Sequence, residues 1–339
     1  MPAHTRREFL GSSAAAAAAI ISIPAWARQP QDSQPAKAAS LEKRRFGATD
    51  MQVTVLGFGG AEIGFQKTAQ DTVAQLLNSA LDAGLNVIDT AECYADSEAL
   101  IGRAVSGRRR EFYLFTKAGH AKGWGRDDWR PAGIQKSIER SLERLRTDAV
   151  DLVQLHSCSE GVLRRGDAIT ALETARQRGL TRYIGYSGDG AAARYAVETG
   201  RFDTLQISVS IADQTALDAV LPAARERGLG VIAKRPVANV AWRSRSRPPA
   251  GAYHRAYWER LRALDYPFLA QPLDEAVATA LRFTLSVPGV HTAIAGSSKP
   301  ERWAQNARRV EAGPLPAAEF DAIRTRWREC AAPDWTGQT

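Results

Sequence analysis

Short apolar segments alternate with longer amphipathic segments along most of this chain. The apolar segments are rich in Val, Ile, Leu and aromatic residues, a composition typical of buried β-strands. They predict eight strands, at residues 53–57, 86–89, 112–117, 150–155, 183–187, 204–208, 230–233 and 292–295. Between the strands, apolar residues recur at three- and four-residue spacing, which predicts helices. Gly84, Gly179 and Gly228 lie where helices should end and lead directly into the next strand.

The alternation predicts one closed (β/α)8 TIM barrel, a fold that typically needs ~250 residues. The 339-residue chain is long enough for it. An open doubly wound sheet is the rival fold, but it would need a Gly-x-Gly-x-x-Gly turn after its first strand. Glu62 occupies the third glycine position of the Gly57-Phe58-Gly59-Gly60 segment, so that turn is missing. Residues 41–46 and 51–55 predict a hairpin that closes the barrel bottom, and residues 300–310 and 317–330 predict two extra C-terminal helices.

Polar residues stand at or just after the ends of three successive predicted strands. Asp89, Lys117 and His156 follow the second, third and fourth apolar segments, and Tyr94 comes five residues after Asp89. Neighbouring strands of a parallel barrel end at the same mouth, so these side chains should meet there. A phenol with a pKa of ~10 is a weak acid, and a nearby ammonium group lowers that pKa. The set therefore predicts protonation of a carbonyl oxygen, although each residue alone would also fit a buried ion pair, a core tyrosine or a capping histidine.

Composition narrows the class of protein without defining its function. The net charge is +8, but Lys and Arg are interspersed with acidic residues and are not interleaved with aromatic residues, so no nucleic-acid partner is predicted. The three cysteines form no CxxC pair, and their odd number argues against a disulfide framework. No metal site is predicted, because the chain has five histidines and His156 has no obvious ligand partner nearby.

The N-terminal segment is predicted to be an export signal. Arg6-Arg7 and Phe9-Leu10 precede a small-residue apolar run and the segment Ala25-Trp26-Ala27, a pattern that resembles a bacterial twin-arginine signal. The run is too short for a membrane span of ~20 residues, so no stable membrane anchor is expected. The predicted divisions are a signal at 1–27, a flexible linker at 28–40, the barrel domain at 41–330 and a tail at 331–339. We expect the twin-arginine export machinery to be a partner, and the mature protein to reach the bacterial periplasm after cleavage near Ala27.

Three segments resemble the aldo-keto reductase superfamily. Residues 89–98, Asp-Thr-Ala-Glu-Cys-Tyr-Ala-Asp-Ser-Glu, are similar to its D-T-A-x-x-Y-G-x-S-E signature, and residues 115–117 and 150–156 are similar to its strand-three and strand-four motifs. The resemblance covers about residues 41–310. It implies a (β/α)8 barrel, NADPH-dependent carbonyl reduction without a metal, and a catalytic tetrad of Asp89, Tyr94, Lys117 and His156. Ala95 replaces the glycine of the pattern.

The resemblance also implies an NADP(H) site around the barrel mouth. Its expected residues are Gly59, Gly60 and Ala61 after the first strand, Ser187 and Gln206 at the carboxamide, Lys234 and Pro236 after the seventh strand, and Gly296, Ser297, Ser298, Arg302, Gln305 and Asn306 in the closing motif. Arg302 favours a 2′-phosphate, and therefore NADP(H) over NAD(H). Two positions depart from the pattern: Gly188 replaces the asparagine after Ser187, and the segment containing Lys234 lacks the aromatic residue that stacks on nicotinamide.

Export and cofactor use conflict, because NADPH is made in the cytoplasm. A second hypothesis is therefore an exported nucleotide-binding sensor or accessory protein on the same fold, with little turnover. A metal-dependent hydrolase on the barrel is a weaker third alternative. Trp124, Trp129 and the aromatic residues of 242–271 suggest an apolar or ring-stacking pocket, for a sugar or an aromatic carbonyl. The identity of the substrate does not follow from these residues.

Overall fold

The computed structural model describes residues 41–121, 123, 125–244, 246–249 and 252–338. The predicted export signal and linker at residues 1–40 lie outside the described residues, as does Trp124. Eight parallel strands close into a barrel in the order β10-β3-β4-β5-β6-β7-β8-β9. These strands are β3 (Leu56–Gly59), β4 (Val87–Asp89), β5 (Tyr113–Ala118), β6 (Val150–His156), β7 (Thr181–Ser187), β8 (Thr204–Ser208), β9 (Gly230–Lys234) and β10 (Thr292–Gly296). The predicted (β/α)8 barrel is confirmed.

Helices follow the strands on the outside of the barrel. In chain order they are α1 (Ala61–Phe65), α2 (Gln70–Asp82), α3 (Ser97–Val105), α4 (Pro131–Leu145), α5 (Glu160–Arg165), α6 (Asp167–Gln177), α7 (Gly190–Glu198), α8 (Thr215–Ala219), α9 (Leu221–Glu226), α10 (Ala252–Leu264), α11 (Leu273–Ser286), α12 (Arg302–Val310) and α13 (Ala317–Cys330). Short 3-10 helices span Ser106–Glu111, Ala238–Arg243 and Pro267–Ala270. Within the ranges described, no helix is both long and apolar enough to cross a membrane.

A two-stranded antiparallel hairpin precedes the barrel, as predicted. It consists of β1 (Lys43–Arg45) and β2 (Gln52–Thr54). Phe46, in the connecting turn, is fully buried and stacks on Phe115 at a ring-centroid distance of 5.7 Å. A Cβ atom on Gly230 would lie 2.8 Å from the Phe46 ring, so a glycine at position 230 leaves room for that ring. The hairpin thus seals the lower end of the barrel with apolar side chains.

The bounds predicted for the first barrel strand were wrong. Residues 53–57 were expected to form it, but Val53 and Thr54 pair with the other arm of the hairpin, and the barrel strand begins at Leu56. Val53 is completely buried in the apolar cluster that also contains Phe46 and Met51. Apolar character alone does not separate the two strands, because both bury their side chains. The chain order of the remaining strands agrees with the alternation in the sequence.

Candidate active site

Three neighbouring strands bring the predicted catalytic side chains to one mouth of the barrel. Asp89 ends β4, Lys117 lies near the end of β5, and His156 ends β6, while Tyr94 lies in the loop between β4 and α3. A Cβ atom on Gly64 of α1 would lie 2.0 Å from the carbonyl oxygen of Tyr94, so this loop packs directly on the helix backbone. Ala95 has a φ of 45°, the left-handed conformation that favours glycine. The D-T-A-x-x-Y-G-x-S-E signature has glycine at this position, and glycine adopts the left-handed conformation without strain. Ala95 adopts the same backbone conformation with some strain.

Lys117 and Asp89 form a buried ion pair beneath Tyr94. Lys117 Nζ donates to Asp89 Oδ1 at 2.5 Å and to the carbonyl oxygen of Thr90 at 2.7 Å, and both charged side chains have 1% exposure or less. Burial raises the pKa of Asp89, whereas the Lys117 ammonium and the Gln206 amide oppose that rise. Lys117 Nζ also lies 5.0 Å from the centroid of the Tyr94 ring. The ammonium is therefore held against the phenol by a carboxylate and a backbone carbonyl.

His156 packs edge-on against Tyr94, with a ring-centroid distance of 5.5 Å and an interplanar angle of 81°. Burial, followed by the positive charges of Lys117 and His120, holds the pKa of His156 well below its usual range. The imidazole is therefore neutral at physiological pH. His120 Nε2 donates to the carbonyl oxygen of His156 at 2.7 Å, and His120 Nδ1 lies 2.6 Å from a carboxylate oxygen of Asp127.

A row of five rings runs along the mouth. Its successive members lie 5.3 to 5.6 Å apart between centroids, in the order Phe65, Tyr94, His156, His120 and Trp129. Phe65 ends α1 and is 61% exposed, whereas Trp129 is half-buried against Gly119. An exposed aromatic side chain beside Tyr94 offers a flat apolar surface to a ligand. The row contains the predicted Trp129 and adds Phe65, which the sequence pattern did not single out.

The residues expected to bind the cofactor lie at the same mouth, but not all are ready to contact a ligand. Gly59 and Gly296 pair directly across β3 and β10, so two adjacent strand ends carry no side chains. The carboxylate of Glu62 fills this space, because a Cβ atom on Gly296 would lie 1.7 Å from Glu62 Oε2. Burial raises the pKa of Glu62, and its backbone hydrogen bond and the charge of Arg235 oppose that rise. Gly60 and Ala61 lie between Gly59 and Glu62, at the start of α1.

Ser187 and Gln206 are adjacent, as the resemblance implied. Ser187 Oγ donates to Gln206 Oε1 at 2.8 Å, and Gln206 Nε2 donates to Asp89 Oδ2 at 3.0 Å. The two residues therefore link the expected carboxamide site to the buried ion pair. Gln154 Nε2 also approaches Asp89 Oδ2, at 3.5 Å, while its buried Oε1 has no hydrogen-bond partner within the described part of the chain.

The end of β9 carries charge where the resembled pattern has an aromatic ring. Lys234 Nζ lies 2.8 Å from Asp189 Oδ2, and burial lowers the pKa of Lys234. Asp189 also accepts hydrogen bonds from the backbone N–H and the hydroxyl of Ser208, and Arg235 donates to that hydroxyl at 3.0 Å. Pro236 is buried. Lys234 is thus fixed in an ion pair, and its methylene chain offers no flat stacking surface.

The helix of the closing motif begins two residues later than predicted. A helix was expected from residue 300, but α12 begins at Arg302, so Ser297 and Ser298 lie in the preceding turn. Ser297 Oγ accepts from the Lys299 N–H at 2.9 Å, and Ser298 donates to Gln66 at 2.7 Å. These hydroxyl–backbone and hydroxyl–amide bonds tighten the turn and delay the helix.

The other three members of the motif lie on α12. Arg302 is half-buried, and among the described residues no carboxylate lies within 4.0 Å of its guanidinium. Gln305 is half-buried, whereas Asn306 is buried and accepts from Arg309. Paired glycines, turn hydroxyls and an arginine with no acidic partner in the described ranges fit a phosphate-bearing dinucleotide. The Glu62 carboxylate against Gly296 would repel a phosphate.

Gln154, His120 and Asp127 lie around the tetrad and were missed by the sequence reasoning. Gln154 could have been found, because it precedes His156 by two residues on one strand and therefore points to the same face. The contacts of Cys93 and His120 with His156 join separate loops to the end of β6, and no periodic pattern signals them; Asp127 contacts His120. The three cysteines are free thiols, and no group of three or more potential metal ligands occurs in the described ranges.

Comparisons with known proteins agree with this geometry. The aldo/keto reductase family model matches residues 55–328. The uncharacterized oxidoreductase YqkF of Bacillus subtilis (strain 168) is 27% identical over 306 residues, which cover 85% of this chain and 97% of that protein. The D-threo-aldose 1-dehydrogenase of a Pseudomonas sp is 29% identical over 299 residues, covering 77% and 90%. The structure of the aldo-keto reductase AKR11C1 from Bacillus halodurans in its holo form has a TM-score of 0.75 and 29% identity, covering 87% of this chain and 99% of that chain.

Proposed function

Because this chain belongs to the aldo/keto reductase family, we propose that it is an NADPH-dependent oxidoreductase that reduces aldehydes or ketones to alcohols. Tyr94 acts as the general acid. The observation that carries the proposal is the buried Lys117–Asp89 pair, whose ammonium lies 5.0 Å from the Tyr94 ring. A positive charge this close stabilises the phenolate and makes the phenol a better proton donor.

The four residues divide the proton chemistry among them. Asp89 orients Lys117, the positive charge of Lys117 stabilises the phenolate form of Tyr94, and Tyr94 delivers its proton to the carbonyl oxygen. The neutral His156 donates a hydrogen bond to that oxygen and positions it. General acid catalysis of this kind is typically worth ~10²–10⁴-fold in rate. In the reverse direction, the Tyr94 phenolate accepts the proton of the alcohol.

Bound NADPH would supply the hydride. Ser187 and Gln206 would hold its carboxamide, Gly59 and Gly60 would lie on the nicotinamide side, and the closing motif from Gly296 to Arg302 would hold its phosphates. The carboxylate of Glu62 lies against Gly296, so it would have to move or take up a proton if a phosphate bound there. Lys234 would adjoin the nicotinamide in place of an aromatic ring. Any stacking surface then comes from another group.

The phenol is tested by replacing Tyr94 with Phe. The Tyr94→Phe protein should reduce a panel of aldehydes ~10²–10⁴-fold more slowly than the parent, yet bind NADPH with unchanged affinity by tryptophan fluorescence. Tyr195→Phe is the matched control, because Tyr195 lies on α7 and packs on Arg164. Full activity in Tyr94→Phe would refute the assignment. Tight NADPH binding with no multiple turnover in the parent protein would instead favour the accessory-protein hypothesis.

The substrate panel should include free aldoses with NADP⁺ as well as aldehydes with NADPH. One relative bears the name D-threo-aldose 1-dehydrogenase, and the apolar faces of a sugar ring suit aromatic surfaces such as Phe65 and Trp129. Lactone formation from an aldose would assign the oxidative direction. Reduction of aromatic aldehydes without oxidation of aldoses would assign the reductive direction.

We further propose that the protein is exported by the twin-arginine route, which carries folded proteins. The support is the sequence of residues 1–27, with its paired arginines, apolar run and Ala-x-Ala end. A folded barrel could take its cofactor with it, which would resolve the conflict between export and NADPH supply. N-terminal sequencing of protein from the periplasmic fraction should begin at Arg28. A start at Met1 would contradict cleavage.

A further inference from the structure

The proposed reaction requires His156 to present an N–H to a carbonyl oxygen. A neutral imidazole carries one N–H, and the proton is on either Nδ1 or Nε2. Which tautomer forms depends on what the other nitrogen contacts. Cys93 Sγ lies 3.4 Å from His156 Nδ1, within hydrogen-bonding distance for sulfur. A contact at Nδ1 can therefore select the tautomer.

The thiol can only act as the donor in this contact if it keeps its hydrogen. Cys93 is 8% exposed, and burial raises the pKa of its thiol to about 12. The side chain is therefore S–H, not thiolate, at neutral pH. An S–H group is a weak donor, and an imidazole nitrogen is a good acceptor, so the arrangement S–H···Nδ1 satisfies both atoms.

The residue before Cys93 ties the turn that carries the thiol to its surroundings. The preceding residue, Glu92, donates its N–H to the carbonyl oxygen of Lys117 at 3.3 Å, and its carboxylate accepts from the N–H groups of Gly119 and His120 at 2.8 and 2.9 Å. Arg140 pairs with the same carboxylate at 2.9 Å. The turn that carries the thiol is thus tied to the strand that carries the ammonium. The thiol is held at a set distance from the imidazole.

We propose that Cys93 is a positioning residue whose S–H donates to His156 Nδ1 and holds the proton of the neutral ring on Nε2. Nε2 then presents its N–H to the substrate oxygen. The opposite polarity, with Nδ1–H donating to sulfur, would leave Nε2 without a hydrogen and unable to assist. This inference rests on the proposed function, since the N–H has a task only if a carbonyl oxygen binds there.

The tautomer is measured directly by ¹⁵N NMR on the full chain labelled with ¹⁵N-histidine, near neutral pH and without substrate. The His156 signals are assigned by their loss in His156→Gln. In the parent protein and in Cys93→Ser, Nδ1 should give the shift of an unprotonated nitrogen and Nε2 that of a protonated one. Cys93→Ala and Cys93→Val lack a donor and should show a mixture of tautomers. Cys158→Ala is the matched control, because Cys158 is also buried and, within the described residues, its hydrogen bond to Tyr186 is made by the backbone carbonyl and not by the thiol.

Kinetics with benzaldehyde and NADPH supply a second readout. Loss of one hydrogen bond of this type should lower kcat/KM about three- to tenfold in Cys93→Ala and Cys93→Val, while Cys93→Ser restores it and NADPH affinity is unchanged in all three. A protonated Nδ1 in the parent protein, or parent-like tautomers and rates in Cys93→Ala, would overturn the inference. The NMR measurement needs no turnover, so it separates the two proposals. If the parent protein is inactive but its Nδ1 is unprotonated, the inactivity contradicts the proposed function, while the thiol still sets the tautomer of the ring.

Discussion

Replacing Lys117 with Met tests the ion pair on which the site is built. Met is close in length to Lys but removes the ammonium that donates to Asp89 at 2.5 Å and to Thr90 at 2.7 Å. Asp89 is 1% exposed, so its carboxylate would be left buried beside the amides of Gln154 and Gln206, without an ammonium group in hydrogen-bonding contact among the described residues. Breaking a buried pair in this way typically costs about 3–5 kcal/mol. We expect a loss of that size in the free energy of unfolding, measured by urea denaturation at about pH 8.

The loss should depend on pH in a defined direction. The ammonium of Lys117 is the group that most strongly opposes the effect of burial on the pKa of Asp89. Without it, the pKa of Asp89 in the folded protein rises further above its unfolded value of ~3.9. A raised folded pKa gives stability that is fully present below the unfolded pKa and is lost as pH rises through the folded pKa. Lys117→Met should therefore be less destabilised at about pH 5 than at about pH 8.

The double variant Asp89→Asn/Lys117→Met is the control. A neutral amide replaces the unpaired carboxylate, so most of the lost stability should return and the pH dependence should disappear. If Lys117→Met loses less than about 1 kcal/mol, or if the double variant is no more stable than the single one, the carboxylate is not held by the ammonium in the way described. Both variants should lack reductase activity, because neither can lower the pKa of Tyr94.

Three further predictions concern the cofactor, the catalytic loop and acid stability. Arg302→Ala should raise the KM for NADPH about 10- to 100-fold and hardly change that for NADH, in steady-state kinetics, because a charge-assisted bond to the 2′-phosphate is lost; equal effects on both would refute the role. Gly64→Ala should abolish most activity while the far-UV spectrum is retained, because its Cβ atom would lie 2.0 Å from the Tyr94 carbonyl oxygen and must displace that loop; parent-like rates would contradict this packing. His291 Nδ1 accepts from the Val231 N–H at 3.0 Å, and burial, then Arg44, lowers the pKa of His291 to about 4. A depressed pKa gives stability that is present above the unfolded value of ~6.5 and is lost as pH falls toward the folded value. His291→Gln should therefore lose less stability between these two pH values, measured by urea titration. An unchanged loss in His291→Gln would exclude the histidine as the cause.

The amino-acid sequence determined the order of the barrel strands and the location of the tetrad. Buried parallel strands must be nearly continuous apolar segments, and helices must show three- and four-residue spacing, so the alternation is visible locally. Residues that end adjacent strands must share a mouth, which is why Asp89, Lys117 and His156 were predicted together. Where two consecutive strands are both buried, as at Val53 and Leu56, the pattern could not separate them.

Only the tertiary structure decided which groups surround that tetrad. The contact of Cys93 with His156 joins a loop to the end of another strand, and the placement of Glu62 against Gly296 joins the start of α1 to the end of β10. Such contacts depend on the paths of irregular loops, which have no hydrophobic period and leave no signal in the order of residues. The ring row from Phe65 to Trp129 arises in the same way, from side chains on the end of a helix, two loops and the end of a strand. Chemistry at strand ends can be read from a sequence because strands are periodic, whereas the surroundings that tune it follow from folding in three dimensions.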